Sequence, residues 1–188
     1  MTVPGRTATP GPTLRSAHTA DLAPGELRAA RALMDLAFDG DFAEEDWEHA
    51  LGGMHALVLD DAGLAAHGAV VMRRVRHRDR WLRVGYVEAV AVRPDVRRTG
   101  LGGRVMAELE RIVDRAYDAG MLSASDEGAR LYTGRGWRQW SGRVSALGPD
   151  GAVHLPEEEG GTYVRPALAG VLDPAHGLLF DWRDGDVL

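Results

Sequence analysis

Two segments carry residues whose type and spacing can do chemistry. The first, Arg97-Arg98-Thr99-Gly100-Leu101-Gly102, follows the apolar run Val90-Ala91-Val92 and opens an amphipathic stretch. Glycines let backbone N–H groups approach an anion closely, and a helix start adds partial positive charge. Arginines at such a turn add charge-assisted hydrogen bonds, so a pyrophosphate is a fitting guest. Neither common nucleotide loop is present. No Lys-Ser/Thr pair follows Gly100 at Walker spacing, and Val105 stands where G-x-G-x-x-G needs its last glycine. An Arg-rich surface turn that only caps a helix is the alternative.

The second segment is Val84 to Val92, a β-forming run whose one acid is Glu88. Apolar neighbours raise a carboxyl pKa toward the range of a useful general base. Pairing with an arginine such as Arg83 is the alternative. Acidic residues gather at Asp39, Asp41, Glu44, Glu45, Asp46 and Glu48, again at Glu157, Glu158 and Glu159, and again at Asp181, Asp184 and Asp186 beside the terminal carboxylate of Leu188. Singly these suit solvated faces or helix starts; together they suit several ammonium groups. Seven histidines show no metal-ligand spacing, so no metal is expected, and His49 and His55 read as structural.

These residues need elements to hold them. Leu14 to Thr19 reads as a strand. Leu27, Ala30, Met34 and Phe38 recur at helical spacing, and Glu44 to Leu51 is a second short helix. Strands follow at Met54 to Leu59, Leu64 to Val75 and Trp81 to Val92. A helix from about Gly102 to Tyr117 carries the stripe Val105, Leu109, Ile112, Val113 and Ala116, with Gly120 as its C-cap. Met121 to Ser123 is a short strand, and Asp126 caps a helix through Tyr132. Trp137 to Leu147 reads as one strand, Pro149 to Gly161 as an acidic loop, Thr162 to Leu168 as a strand, and Leu178 onward as a strand-like tail. The pattern predicts an α/β (α+β) domain: a central mixed, mostly antiparallel sheet with helices on both faces.

Composition sets the outer bounds. The 188 residues suit a single domain, residues 13–188, behind a flexible segment 1–12. Hydrophobic residues are 45% and charged residues 27%, which are globular values. A net charge of -6 argues against nucleic acid and favours a cationic partner. With no cysteine, disulfides and a Cys nucleophile are excluded. No apolar run is long enough to span a membrane or act as a signal peptide, so a cytoplasmic protein is expected.

The loop R-x-x-G-x-G after a V-x-V strand resembles the acetyl-CoA loop of the GNAT N-acetyltransferases, with Arg97, Gly100 and Gly102 at its fixed positions. More of the chain matches a narrower group. D-G-D-F-x-E-x-D-W-E-H from Asp39, G-Y-V-E-x-V-A-V-R from Gly85, R-L-Y-x-x-R-G-W from Arg130 and D-W-R-x-G-D-V from Asp181 resemble the aminoglycoside 2'-N-acetyltransferases. The resemblance implies a GNAT-type domain that moves acetyl from acetyl-CoA to an aminoglycoside amine, by direct attack. It implies Glu88 as base, Tyr132 as acid to the leaving thiolate, and the Val90 amide as oxyanion donor. Val90, Ala91, Val92 and Arg97 through Gly102 (Arg98, Thr99, Gly100 and Leu101 included) would hold acetyl-CoA. Asp41, Asp46, Ala89, Ser123, Glu157, Glu158, Asp186 and Leu188 would face the drug. Leu188 stands where a close relative is expected to end in Trp. A homodimer is expected from the family. Tyr132 as a core residue, another amine as substrate, and a CoA-binding module without turnover stand as alternatives.

Overall fold

The computed structural model describes residues 11–125, 128–168, 172–185 and 187–188; most of segment 1–12, together with Asp126 and Asp186, lies outside the described residues. In chain order the elements are β1 (Thr13–His18), α1 (Pro24–Ala37), α2 (Glu44–Ala50), β2 (Met54–Asp60), β3 (Gly63–His77), β4 (Arg80–Val92), α3 (Leu101–Ala116), β5 (Ala119–Ser123), α4 (Ala129–Thr133), β6 (Arg138–Gln139), β7 (Val144–Gly148), β8 (Gly151–His154), β9 (Thr162–Pro166) and β10 (Leu178–Asp181).

One sheet gathers the described strands. Its main path is β6-β9-β5-β4-β3-β10-β7-β8, and β2, flanked by β1, also pairs with β3. Only β4–β5 and β10–β7 run parallel; the other pairings are antiparallel. The length of β3 explains the branching: residues 63–70 pair with β2, and residues 75–77 pair with β10.

Helices cover both faces, as the sequence predicts. Ala30, Leu33 and Met34 of α1 and Trp47 and Ala50 of α2 pack on Ala69 and Ala91. Val105, Met106, Leu109, Ile112 and Val113 of α3 pack on Ala56, Val58, Ala66, Val70 and Val87 from the other side. A C-terminal cluster joins Tyr86, Val84 and Leu82 to Phe180, Leu178, Val144 and Ala146.

Four expectations are corrected. Trp137 to Leu147 is not one strand: β6 is the first strand of the sheet path and β7 the last but one. The chain turns between them because Trp137 and Trp140 bury into different clusters, and Gly142 passes where a Cβ would sit 2.6 Å from the Pro174 carbonyl oxygen. The acidic loop holds β8 and a 3-10 turn, Pro156–Glu158. Gly120 is a residue of β5 rather than a helix cap; a Cβ there would lie 2.9 Å from the Trp137 ring and 3.0 Å from Val113. The apolar stripes also end early: Phe38, the residue after α1, is 41% exposed, and Ala116, the last residue of α3, is exposed.

Strand β4 is irregular where it matters. Its register with β3 runs Glu88↔Ala69 and then Ala91↔His67, so Ala89 and Val90 together oppose Gly68. Ala89 adopts φ +51°, the left-handed conformation of a bulge residue. The extra residue reverses the alternation of faces. Val87, Val90 and Val92 therefore all pack toward α3, while Ala91 packs toward α1 and α2. On its other edge β4 pairs with β5 only from Val84 to Tyr86, and the two strands then diverge.

Candidate active site

The divergence of β4 from β5 opens a cleft of about 650 Å³. One wall is the unpaired edge of β4, from Val87 to Val92. Peptide groups along such an edge remain available to an extended guest, as at any strand edge.

At one end lies the Arg97–Gly102 loop. Arg98 and Gly100 both take positive φ, +63° and +89°, and Gly100 is the N-cap of α3. Glycine meets no steric objection there, and the turn leads directly into the helix start. Arg97 Nε donates to the Val92 carbonyl at 3.3 Å and Nη2 to the Ala37 carbonyl at 3.2 Å. Arg97, Arg98, Gly100, Leu101 and Gly102 line the cleft. Thr99 does not: its hydroxyl donates to the Val96 carbonyl at 2.6 Å and holds the turn.

At the middle of the wall stands Glu88. Burial pushes its carboxyl above the usual carboxylate range, opposed by a nearby guanidinium. That guanidinium belongs to Arg183, not to Arg83. Arg183 Nη1 donates to Glu88 Oε1 at 2.6 Å, whereas Arg83 pairs with Asp118 at 3.5 Å. Arg183 also donates to the Val187 carbonyl at 3.0 Å and lies over the Tyr86 ring, 5.3 Å from its centroid. Beneath it Arg73, only 3% exposed, donates to Asp181 Oδ1, to the Asp181 carbonyl and to the Val187 carbonyl. Asp181 is thus committed to anchoring the tail.

Tyr132 of α4 lines the same cleft as Glu88 and is buried against Trp137 and Tyr163. Burial first, and the Glu88 charge second, push its phenol up to about 12. It therefore keeps its proton at neutral pH, as an acid must.

The remaining wall is acidic and aromatic. Asp41, Asp46 and His49, with Phe38 and Phe42, line the far side. Phe38 and Phe42 stack with centroids 5.3 Å apart. Asp46 Oδ2 accepts the Ala43 amide at 3.2 Å, at the start of α2. His49 Nε2 donates to the Asp184 carbonyl at 2.8 Å and ties α2 to the tail. Ala89, Ser123 and Leu188 also line the cleft. The Ser123 hydroxyl donates to Glu158 Oε2 at 3.1 Å, so these two expected substrate contacts meet each other. Glu157 is exposed on the 3-10 turn and is not on the cleft wall.

The structure thus gathers the expected base, acid, anion loop and acidic patch in one place. Sequence reasoning left two residues unassigned. Arg183 stands inside the quoted D-W-R tail motif, and His67 is the one ionisable residue in the apolar run Leu64 to Val71. Either could have been found by asking what an isolated charge or imidazole does among apolar neighbours.

A family model described as acetyltransferase (GNAT) domain matches residues 19–140. The chain is 48% identical over 178 residues to an aminoglycoside 2'-N-acetyltransferase of Mycolicibacterium fortuitum, covering 93% of this chain and 91% of that one. Its fold is similar to a GNAT family N-acetyltransferase (YhbS) from Escherichia coli in complex with CoA, with TM-score 0.66, 18% identity, and coverage of 92% and 90%. It is also similar to Escherichia coli ElaA, with TM-score 0.57, 18% identity, and coverage of 82% and 99%.

Proposed function

We propose a function from one premise: the chain belongs to the GNAT acetyltransferases and, within them, to the family of aminoglycoside 2'-N-acetyltransferases. It transfers acetyl from acetyl-CoA to the 2'-amino group of an aminoglycoside. The observation that carries this reading is one cleft that joins an anion loop, an unpaired strand edge, a largely buried carboxylate and an acidic wall.

The residues divide the work. The Arg98–Gly102 turn and the start of α3 receive the pyrophosphate through backbone N–H groups and the helix field. The edge from Val90 to Val92 pairs with the extended pantetheine arm as a missing strand would. Asp41 and Asp46 attract the ammonium groups of the drug.

Acetyl transfer forms a C–N bond and breaks a C–S bond. The attacking amine must first lose a proton, and Glu88 accepts it, directly or through a water. Oε1 is held by Arg183, so Oε2 is the oxygen that acts. The Val90 amide, on the cleft-lining stretch of β4 that β5 does not pair, donates to the developing oxyanion. Tyr132 returns a proton to the leaving thiolate. Ser123 and Glu158 act as one hydrogen-bonded pair toward the drug. The proposed setting is the cytoplasm, where acetyl-CoA is consumed, and the proposed assembly is a homodimer.

A thiol-release assay tests the reading. Free CoA should appear with a 2'-amino aminoglycoside and not with its 2'-hydroxyl counterpart. Turnover of both would overturn the 2' assignment, and turnover of neither would overturn the substrate.

A further inference from the structure

Two histidines that the mechanism does not use are wholly buried. His55 on β2 and His67 on β3 are both 0% exposed, with rings 5.2 Å apart and Trp47 of α2 packed over His67. They form a chain of hydrogen bonds that ends at the bulge. His67 Nδ1 lies 2.9 Å from the Ala89 carbonyl oxygen, and His67 Nε2 lies 2.9 Å from His55 Nδ1. His55 Nε2 lies 2.7 Å from Thr19 Oγ1, which lies 2.9 Å from the Gly52 amide nitrogen.

The direction of every bond follows from the two ends. A carbonyl only accepts, so His67 Nδ1 carries the hydrogen and, in a neutral ring, Nε2 is the acceptor. His55 must then donate from Nδ1 and accept at Nε2. The Thr19 hydroxyl lies 2.7 Å from His55 Nε2 and 3.2 Å from the Gly53 carbonyl oxygen, which already accepts the Thr19 N–H at 3.0 Å; its one hydrogen goes to the nearer His55 nitrogen, and its oxygen accepts the Gly52 N–H. Burial keeps both rings neutral, each pushed down to about 4, which agrees with that assignment. Each donor in the series points toward β4. The series cannot relay a proton into the cleft, because the Ala89 carbonyl has none to give and none to pass on. What it transmits is orientation.

Ala89 needs that orientation. A non-glycine residue at φ +51° is in a sparsely populated conformation, held only while its surroundings over-determine it. Its neighbours on either side are Glu88 and Val90. We infer that His67 is a positioning residue for the acetyl transfer proposed above: its Nδ1–H, fixed by the Thr19–His55 series, pins the Ala89 carbonyl and so holds the bulge that aims Glu88 and the Val90 amide into the cleft. The inference rests on that functional reading for its kinetic consequence and on the hydrogen-bond geometry for its structure.

Two substitutions separate positioning from packing. His67→Leu keeps an apolar side chain and removes the donor. His67→Asn keeps an N–H where Nδ1 stood. His67→Leu should lower kcat by about 10–100-fold, the effect of leaving the part-buried Ala89 carbonyl unpaired and its strand misaligned, with the acetyl-CoA KM within about threefold. His67→Asn should stay within about fivefold of the parent kcat, because the donor is retained. An unchanged kcat in His67→Leu, or equal losses in the two variants, overturns the positioning role. Should His67→Leu fail to fold, Thr19→Val, which cuts the far end of the series, takes its place and should lower kcat by a few-fold, about 2–5; an unchanged kcat there counts against the inference.

A second readout needs no turnover. Nitrogen-15 spectra of the rings at neutral pH should show both His55 and His67 as neutral Nδ1–H tautomers. An Nε2–H tautomer or a charged ring at His67 overturns the inference whatever the activity. If the parent protein acetylates no amine, the functional reading fails by itself, and the ring spectrum still decides the hydrogen-bond series.

Discussion

Replacing Arg183 by methionine should move the acid limb of the kcat/KM profile to higher pH. Glu88 accepts a proton only as the carboxylate, so activity falls as pH drops through its pKa. Two opposed influences set that pKa: burial raises it and Arg183 lowers it, through a 2.6 Å ion pair whose side chains are each 15% exposed. For charge centres about 4 Å apart at an effective dielectric of about 20, the attraction is about 4 kcal/mol. At 1.36 kcal/mol for each pH unit this caps the movement at about three units. Residual screening reduces it, so an upward movement of about one to two pH units is expected. The assay is CoA release at saturating acetyl-CoA and low drug, from pH 4 to 9. Arg183→Lys, which keeps the charge, should move the limb much less. Because Arg183 also holds the Val187 carbonyl, acetyl-CoA affinity is measured alongside to exclude a displaced tail. A limb that stays in place, or moves to lower pH, would refute the view that Arg183 keeps Glu88 ionised.

Other expectations follow from the same geometry. Glu88→Gln should reduce kcat by about 10²–10⁴ while leaving acetyl-CoA affinity within a few-fold, as for loss of a general base; equal damage to both, by calorimetry and kinetics, would remove it from that role. Tyr132 is pushed up to about 12, so kcat should show no alkaline fall before about pH 11 from this group, and Tyr132→Phe should lower the plateau. Asp41→Asn combined with Asp46→Asn should raise the drug KM by about 3–20-fold, more at low salt than at high, without changing the acetyl-CoA KM. Gly120→Ala forces a Cβ to within 2.9 Å of Trp137 and should cost about 1–3 kcal/mol in urea unfolding; a stability equal to the parent would show that Trp137 can move aside.

The regular parts of the fold were legible because local chemistry decides them. Helical spacing in Leu27, Ala30 and Met34, β-formers from Val84 to Val92, and glycines at the Arg97–Gly102 turn each report a periodicity or a turn that a short window contains. The paired helices on the two faces followed from those stripes. Illegible were features set by partners far away in the chain. Trp137 and Trp140 read as one strand because both are β-formers, yet each serves a different cluster. Gly120 read as a helix end, because nothing nearby in sequence shows that Trp137 and Val113 close over it.

The site divides in the same way. Residue types and spacing singled out Glu88, the anion loop and the acidic groups, since a carboxylate among valines or arginines around glycines is unusual in its own neighbourhood, whereas Tyr132 was named only by the family resemblance. Which oxygen of Glu88 is engaged, and by which arginine, was decided by β10 and the tail folding back on β4 across 95 residues of chain. The bulge at Ala89 was decided likewise. A period of two predicts that Glu88 and Val90 share a face, and Ala89 is an ordinary residue with no preference for positive φ. Only contacts from a second strand, through His67 and Gly68, make the reversal at Ala89 favourable. The chain's own order therefore determines which chemistry is available, and tertiary structure decides where each group points, because orientation depends on hydrogen bonds and packing between segments that a local pattern does not contain.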